Sequence, residues 1–175
     1  MKKLISLVLL AGLFTTQVSA QKPAEDKSKR PSPPATASQK IASGATITIN
    51  YSQPSIKGRT IGKDVEPMEG KVWRTGANEA TTFETDKNVT IDGAALPAGK
   101  YGLFTIFNGD DVTVIFNKTW KQWGAFDYKM EEDILRVKTK ASEANPPSER
   151  VTFTISKDGQ VNLLWGNKKV SFEVK

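Results

Sequence analysis

The chain predicts an all-β domain, a single antiparallel β-sandwich or jelly-roll-like barrel of about eight or nine strands. Three observations carry this. Apolar residues recur with period two through most of the chain. Turn-forming pairs such as Asp92-Gly93 and Asp158-Gly159 interrupt them at short intervals. Only one brief stretch, Tyr128 to Ile134, fits a helical turn.

Met1-Lys2-Lys3, an apolar run from Leu4 to Phe14 and the small-residue end Val18-Ser19-Ala20 have the anatomy of a secretory signal peptide, residues 1–20. The run is too short to cross a bilayer, and no later segment approaches the roughly 20 apolar residues a span needs. The expectation is an exported protein, periplasmic or extracellular, with no integral membrane segment after cleavage. Residues 21–40 hold Pro23, Pro31, Pro33 and Pro34 among Lys, Ser, Thr and Ala, with no aliphatic side chain larger than alanine. Such a segment buries too little to offset its chain entropy, so it reads as a flexible spacer. Residues 41–175 then form one domain.

Within that domain Ile47, Ile49 and Tyr51 alternate with polar residues, as do Val151, Phe153 and Ile155. Val161, Leu163 and Trp165 repeat the pattern, and so do Val170, Phe172 and Val174. Tyr101 to Phe107 and Val112 to Phe116 are apolar on both phases and read as central strands joined by a hairpin at Asn108-Gly109-Asp110-Asp111.

Composition excludes several function classes. The formal charge of +6 lies mostly outside the domain: residues 41–175 carry 18 basic and 17 acidic side chains. A near-neutral body lacks the positive face that binding a phosphate backbone requires, so no nucleic-acid partner is expected. There is no cysteine and no histidine. That removes disulfides, thiol enzymes, the Ser-His-Asp triad and the usual catalytic zinc sites. Glu131, Glu132 and Asp133 lack the spacing and glycine of a calcium loop. No catalytic residue, metal or cofactor is assigned.

One segment departs from the strand pattern: Trp73-Arg74-Thr75-Gly76-Ala77-Asn78-Glu79-Ala80-Thr81. It gathers an aromatic, a fixed cation, a glycine, an amide and a carboxylate. Arg59 and Arg74 offer two forked cations suited to a carboxylate, phosphate or sulfate; alternatively each pairs with an internal acid such as Glu79 or Asp133. Gly76 permits a sharp turn that presents Asn78 and Glu79 to a cleft, unless Asn78 merely caps the turn. The candidate ligand-binding residues are therefore Arg59, Trp73, Arg74, Asn78 and Glu79. Trp120, Trp123, Phe126 and Tyr128 have the composition of a sugar-stacking surface, although aromatics of this size more often seal the end of a sandwich.

The segments Tyr51 to Arg59, Trp73 to Thr81, Leu96 to Tyr101, Ile115 to Lys118, Trp123 to Tyr128 and Asp133 to Val137 together resemble the domain-of-unknown-function family numbered twenty-nine eleven. The resemblance implies an exported bacterial protein of one β-rich domain and brings no activity or site residues. Gln53 departs from the Tyr-Ser-Arg-Pro pattern expected there and supplies one cation fewer.

Three functions fit these residues: a binding module for a polar small molecule or glycan, a structural envelope protein with no ligand, and a hydrolase pairing Glu79 with Asp133 or Asp127. Absence of histidine weighs against the last. Protein partners are left open.

Overall fold

A computed structural model describes residues 25–175; the expected signal peptide and the first residues of the expected spacer lie outside them. Ten strands run β1 (Pro34–Lys40), β2 (Thr46–Ser52), β3 (Val72–Trp73), β4 (Thr82–Thr85), β5 (Val89–Ile91), β6 (Ala94–Leu96), β7 (Gly99–Asn108), β8 (Asp111–Asn117), β9 (Asp133–Ile155) and β10 (Gln160–Glu173). Eight form one antiparallel sheet in the order β1-β2-β4-β7-β8-β9-β10, with β3 beside β7, and β5-β6 form a second. The large sheet curls into a half-barrel. Among the described residues the only helical elements are two 3₁₀ turns, Lys27–Lys29 and Met130–Glu132. The helical candidate at Tyr128 to Ile134 shrinks to the second of these.

The alternating segments become strands whose inner residues share one core: Ile47 and Ile49 of β2, Phe83 of β4, Leu103 of β7, Phe116 of β8 and Phe172 of β10 are all buried. Phe83, Phe116 and Phe172 pack edge to face or tilted at centroid distances of 5.0 to 6.4 Å. Strands β7 and β8 are apolar on both phases because they are covered on both faces. Their outer residues Phe104 and Ile115 join Ala80 in a second small cluster, roofed by Ala125 and Tyr128 of the β8–β9 connection.

Two expectations need correction. Part of the 21–40 spacer is strand: Pro34–Lys40 pairs with β2 from Pro34↔Ser52 to Lys40↔Thr46. It is an edge strand of small residues, held by a backbone ladder rather than by large apolar side chains, and Pro34 sits at its first position, where a missing N–H is tolerated. Composition therefore hid it. The strand expected near Val151 is also not separate. β9 runs 23 residues without a break, pairing with β8 through its first part and with β10 from Ala141 onward.

β3 and β4 are two pieces of one interrupted strand along β7. Trp73 pairs with Thr105 and Thr82 with Gly102. Only Phe104 and Leu103 separate those partners, yet the chain spends residues 74–81 between them. The surplus is pushed out of the sheet as a loop, and this loop is the segment that broke the strand pattern.

Candidate ligand-binding site

Loop 74–81 is rigidly anchored. The Trp73 indole is buried, 1% exposed, and its Nε1–H donates to the Gly76 carbonyl at 3.0 Å. The Thr81 N–H donates to the Arg74 carbonyl at 3.2 Å and closes the loop's base. Buried Thr75 holds the interior, its Oγ1 3.1 Å from Thr105 Oγ1 and its carbonyl accepting from Thr81 Oγ1 at 3.0 Å. The sharp turns fall at Thr75 (φ 55°) and Asn78 (φ 59°) rather than at Gly76. A β-branched residue in this region is strained and persists only where its surroundings enforce it. Gly76 serves a different purpose. A Cβ there would meet Thr81 Oγ1 at 2.9 Å and the Ser52 carbonyl at 3.0 Å, so glycine lets the loop lie against β2.

The five candidate residues divide between two sides of this loop. Arg59 and Arg74 line one cleft of about 360 Å³ together with Asp64, Glu66 and Trp165, and Trp73 contributes to its floor. Arg59 is exposed and donates to the backbone carbonyls of Ser55 (2.6 Å) and Ile56 (3.1 Å). Arg74 is half-buried; its Nε is shielded from solvent and finds no hydrogen-bond partner. Among the described residues it enters no ion pair. Burial pushes its pKa below the usual arginine value, and the charge of Glu66 opposes that.

Neither acid named as a partner for these arginines is available to them. Asp133 accepts from Arg136 Nε (2.7 Å), Tyr128 Oη (2.7 Å) and Asn117 Nδ2 (2.7 Å). Glu79 is taken by the segment before β1: Lys27 Nζ lies 2.7 Å from Oε1 and Arg30 Nη1 2.8 Å from Oε2. The Asn78 Nδ2 donates to the Ser32 carbonyl at 2.9 Å. Asn78 and Glu79 therefore dock residues 27–32 and do not themselves line the arginine cleft, although Ser32, which Asn78 holds, forms part of its wall. Glu79 and Asp133, one of the two carboxylate pairs considered for hydrolysis, sit in separate hydrogen-bond networks.

Burial alone would raise the Glu79 carboxyl, but hydrogen bonds from Lys27, its own backbone and Arg30 outweigh it and hold the pKa at about 2, against an ordinary 4.5. A depressed acid stabilises the fold above its unfolded pKa and loses that contribution as pH falls toward the folded value. The wild-type melting temperature should accordingly fall more steeply than that of Glu79→Gln between pH 4.5 and about 2. Parallel curves would show that the Lys27 and Arg30 contacts contribute nothing in solution.

Of the aromatics near Gly124, Tyr128 packs edge to face on Phe104 as a seal, whereas Trp120, Trp123 and Phe126 do not. Trp123 is 52% exposed and Phe126 83%. The loop bonds that hold this segment explain why: Ala80 N–H donates to the Gln122 carbonyl and Gly124 N–H to the Asn78 carbonyl, which fixes the backbone beside loop 74–81 and turns the rings outward. Trp120 and Trp123 border a shallow groove with Glu79 and Thr82. Lys100 Nζ stands 4.6 Å from the Trp120 ring centroid and Arg30 Cζ 5.6 Å from that of Trp123.

The family described as protein of unknown function (DUF2911) matches residues 32–174. The chain belongs to this family. The match begins just before β1, in agreement with the strand found inside the expected spacer. No curated protein and no solved structure matches. The family brings no residue roles, so those of Arg59 and Arg74 rest on their surroundings alone. Asp64, Glu66 and Trp165 were not among the sequence candidates. The Trp165 Nε1–H donates to the Glu66 carbonyl at 2.8 Å across 99 positions of chain, a proximity no local pattern announces. No helix among the described residues is long and apolar enough to cross a membrane.

Proposed function

We propose that this protein is an exported binding module whose cleft between loops 53–71 and 74–81 holds a polar small molecule through an anionic group, a carboxylate, sulfate or phosphate. The observation that carries the reading is Arg74. A guanidinium that is half-buried, has a shielded Nε with no protein acceptor and lines a concave site is unfavourable for the isolated fold, and an anionic ligand would satisfy it. Arg59, anchored by two backbone carbonyls, adds a second cation at the rim. A thermal-shift titration with small carboxylates, phosphate and sulfate tests this. A ligand at a hundredfold excess over Kd should add about 2.7 kcal/mol to stability, and Arg74→Met should abolish the response. Persistence of the shift in Arg74→Met would place the binding elsewhere.

A second reading rests on the outward-turned tryptophans. Trp120 and Trp123, with Glu79 and Thr82 between them, have the makings of a stacking surface for a pyranose ring, apolar faces flanked by polar groups. Trp123→Ala should then weaken retention on a polysaccharide gel by about tenfold or more, on the order of 1.4 kcal/mol, while leaving the response to small anions intact. Unchanged retention would leave the cleft as the sole site.

A further inference from the structure

The arginine cleft is lined by charges of both signs, Arg59 and Arg74 against Asp64 and Glu66. Among the described residues none of the four enters an ion pair with another. Each acid is instead positioned through the backbone. Glu66 Oε2 accepts from the Met68 N–H at 2.7 Å, and its carbonyl is held by the Trp165 indole at 2.8 Å. Asp64 Oδ2 accepts from the Thr60 N–H at 2.8 Å. In each case the second carboxylate oxygen has no protein donor among the described residues. The acids are therefore fixed in place by bonds that leave one oxygen of each for something else.

A simple anion satisfies only half of this arrangement, because the carboxylates that line the same cleft repel it. We infer that the ligand is a zwitterion of the α-amino-acid type, its carboxylate on Arg74 and its ammonium on Glu66 and Asp64. This rests on the binding role of Arg74 proposed above. Complementary groups of both signs let one molecule engage the buried Arg74 and the acids beside it, and each charge refuses the analogue that lacks its partner. Val65, Met68 and Trp165 add an apolar stretch of wall, which suits an aliphatic or thioether side chain. At about 360 Å³ the cleft lies near the small end of ligand sites, the size class of a single amino acid or a dipeptide.

Isothermal titration of the wild-type protein with leucine, N-acetylleucine, leucinamide and 4-methylpentanoate tests the inference without any variant. Free leucine should bind tighter than the N-acetyl and des-amino compounds by about tenfold to a hundredfold, the range expected for one charge-assisted hydrogen bond. Leucinamide should lose at least as much. Glu66→Gln should weaken the preference for the ammonium, and Glu66→Gln with Asp64→Asn should erase it, while both leave 4-methylpentanoate bound as well as before or better. Equal binding of leucine and 4-methylpentanoate, both lost in Arg74→Met, would overturn the zwitterion and leave the anion reading standing. Absence of binding by the whole series, and by phosphate and sulfate, would overturn both.

Discussion

Arg74→Met is expected to stabilise the free protein while it destroys ligand binding. In the native fold the Arg74 Nε is shielded and makes no hydrogen bond, and burial disfavours its charged form with only the field of Glu66 to compensate. An unsatisfied buried donor costs about 1 to 3 kcal/mol. Methionine keeps much of the aliphatic stem and removes the guanidinium. The gain should be about 1 to 2 kcal/mol, discounted because the side chain is only half-buried, and should raise the melting temperature by roughly 2 to 4 °C per kcal/mol. Such a trade of stability for function is expected where a site is held ready for a charged ligand. Calorimetric melting of both proteins without ligand decides the matter. A loss of about 3 to 5 kcal/mol would instead mark Arg74 as one half of a buried ion pair, and the envelope-structural reading would replace the binding one.

How much of this was legible in the sequence differs between fold and site. The strands were legible because period-two alternation is local, and so was a subtler feature of β10. Val161, Leu163 and Trp165 occupy odd positions whereas Val170, Phe172 and Val174 occupy even ones, and all six are buried. A strand keeping one face inward can change parity only by gaining or losing a residue. The ladder with β9 indeed slips between Leu164 and Lys168, around Gly166 at φ 59°. The edge strand β1 was not legible, because its partly buried residues Ala35 and Ala37 carry little hydropathy and its stability comes from backbone bonds to β2.

Of the candidate site, the sequence showed the loop and the two arginines but not the rest of the cleft they line. Loop 74–81 was conspicuous because a sheet does not call for that run of side chains, and Arg59 and Arg74 do reach one cleft. Asn78 and Glu79 sit in the same run but on the other side of it, since the left-handed turns at Thr75 and Asn78 redirect the chain. Glycine pointed to the wrong turning residue here: strain at a buried threonine leaves no compositional mark. Lys27 and Arg30, which claim Glu79, lay in a segment whose proline content argued for disorder.

Gly159→Ala is expected to be among the most damaging single-methyl changes in the molecule, and its consequences should reach the cleft. Gly159 turns β9 into β10 with φ 92°. Its N–H donates to the Ser156 carbonyl at 3.1 Å and its carbonyl accepts from the Val174 N–H at 2.9 Å. An added Cβ would run into the Val174 backbone carbonyl, which cannot rotate away as a side chain does. Left-handed backbone alone costs an alanine about 1 to 2 kcal/mol, and relief of the clash must shift the C-terminal strand. The total should be about 3 to 5 kcal/mol, a fall in melting temperature on the order of 10 °C. Gly93→Ala is the matched control. That glycine has φ 86° but nothing within 4 Å of its Cβ, so it should show the backbone cost alone. The difference between the two variants isolates the clash with Val174. β10 also carries Trp165, whose indole holds the Glu66 carbonyl over the cleft, so at temperatures where Gly159→Ala remains folded its ligand affinity should fall below that of Gly93→Ala. Equal stability of the two variants would mean that the C-terminal strand yields at no cost, and the hairpin would then not be what sets Trp165 in place.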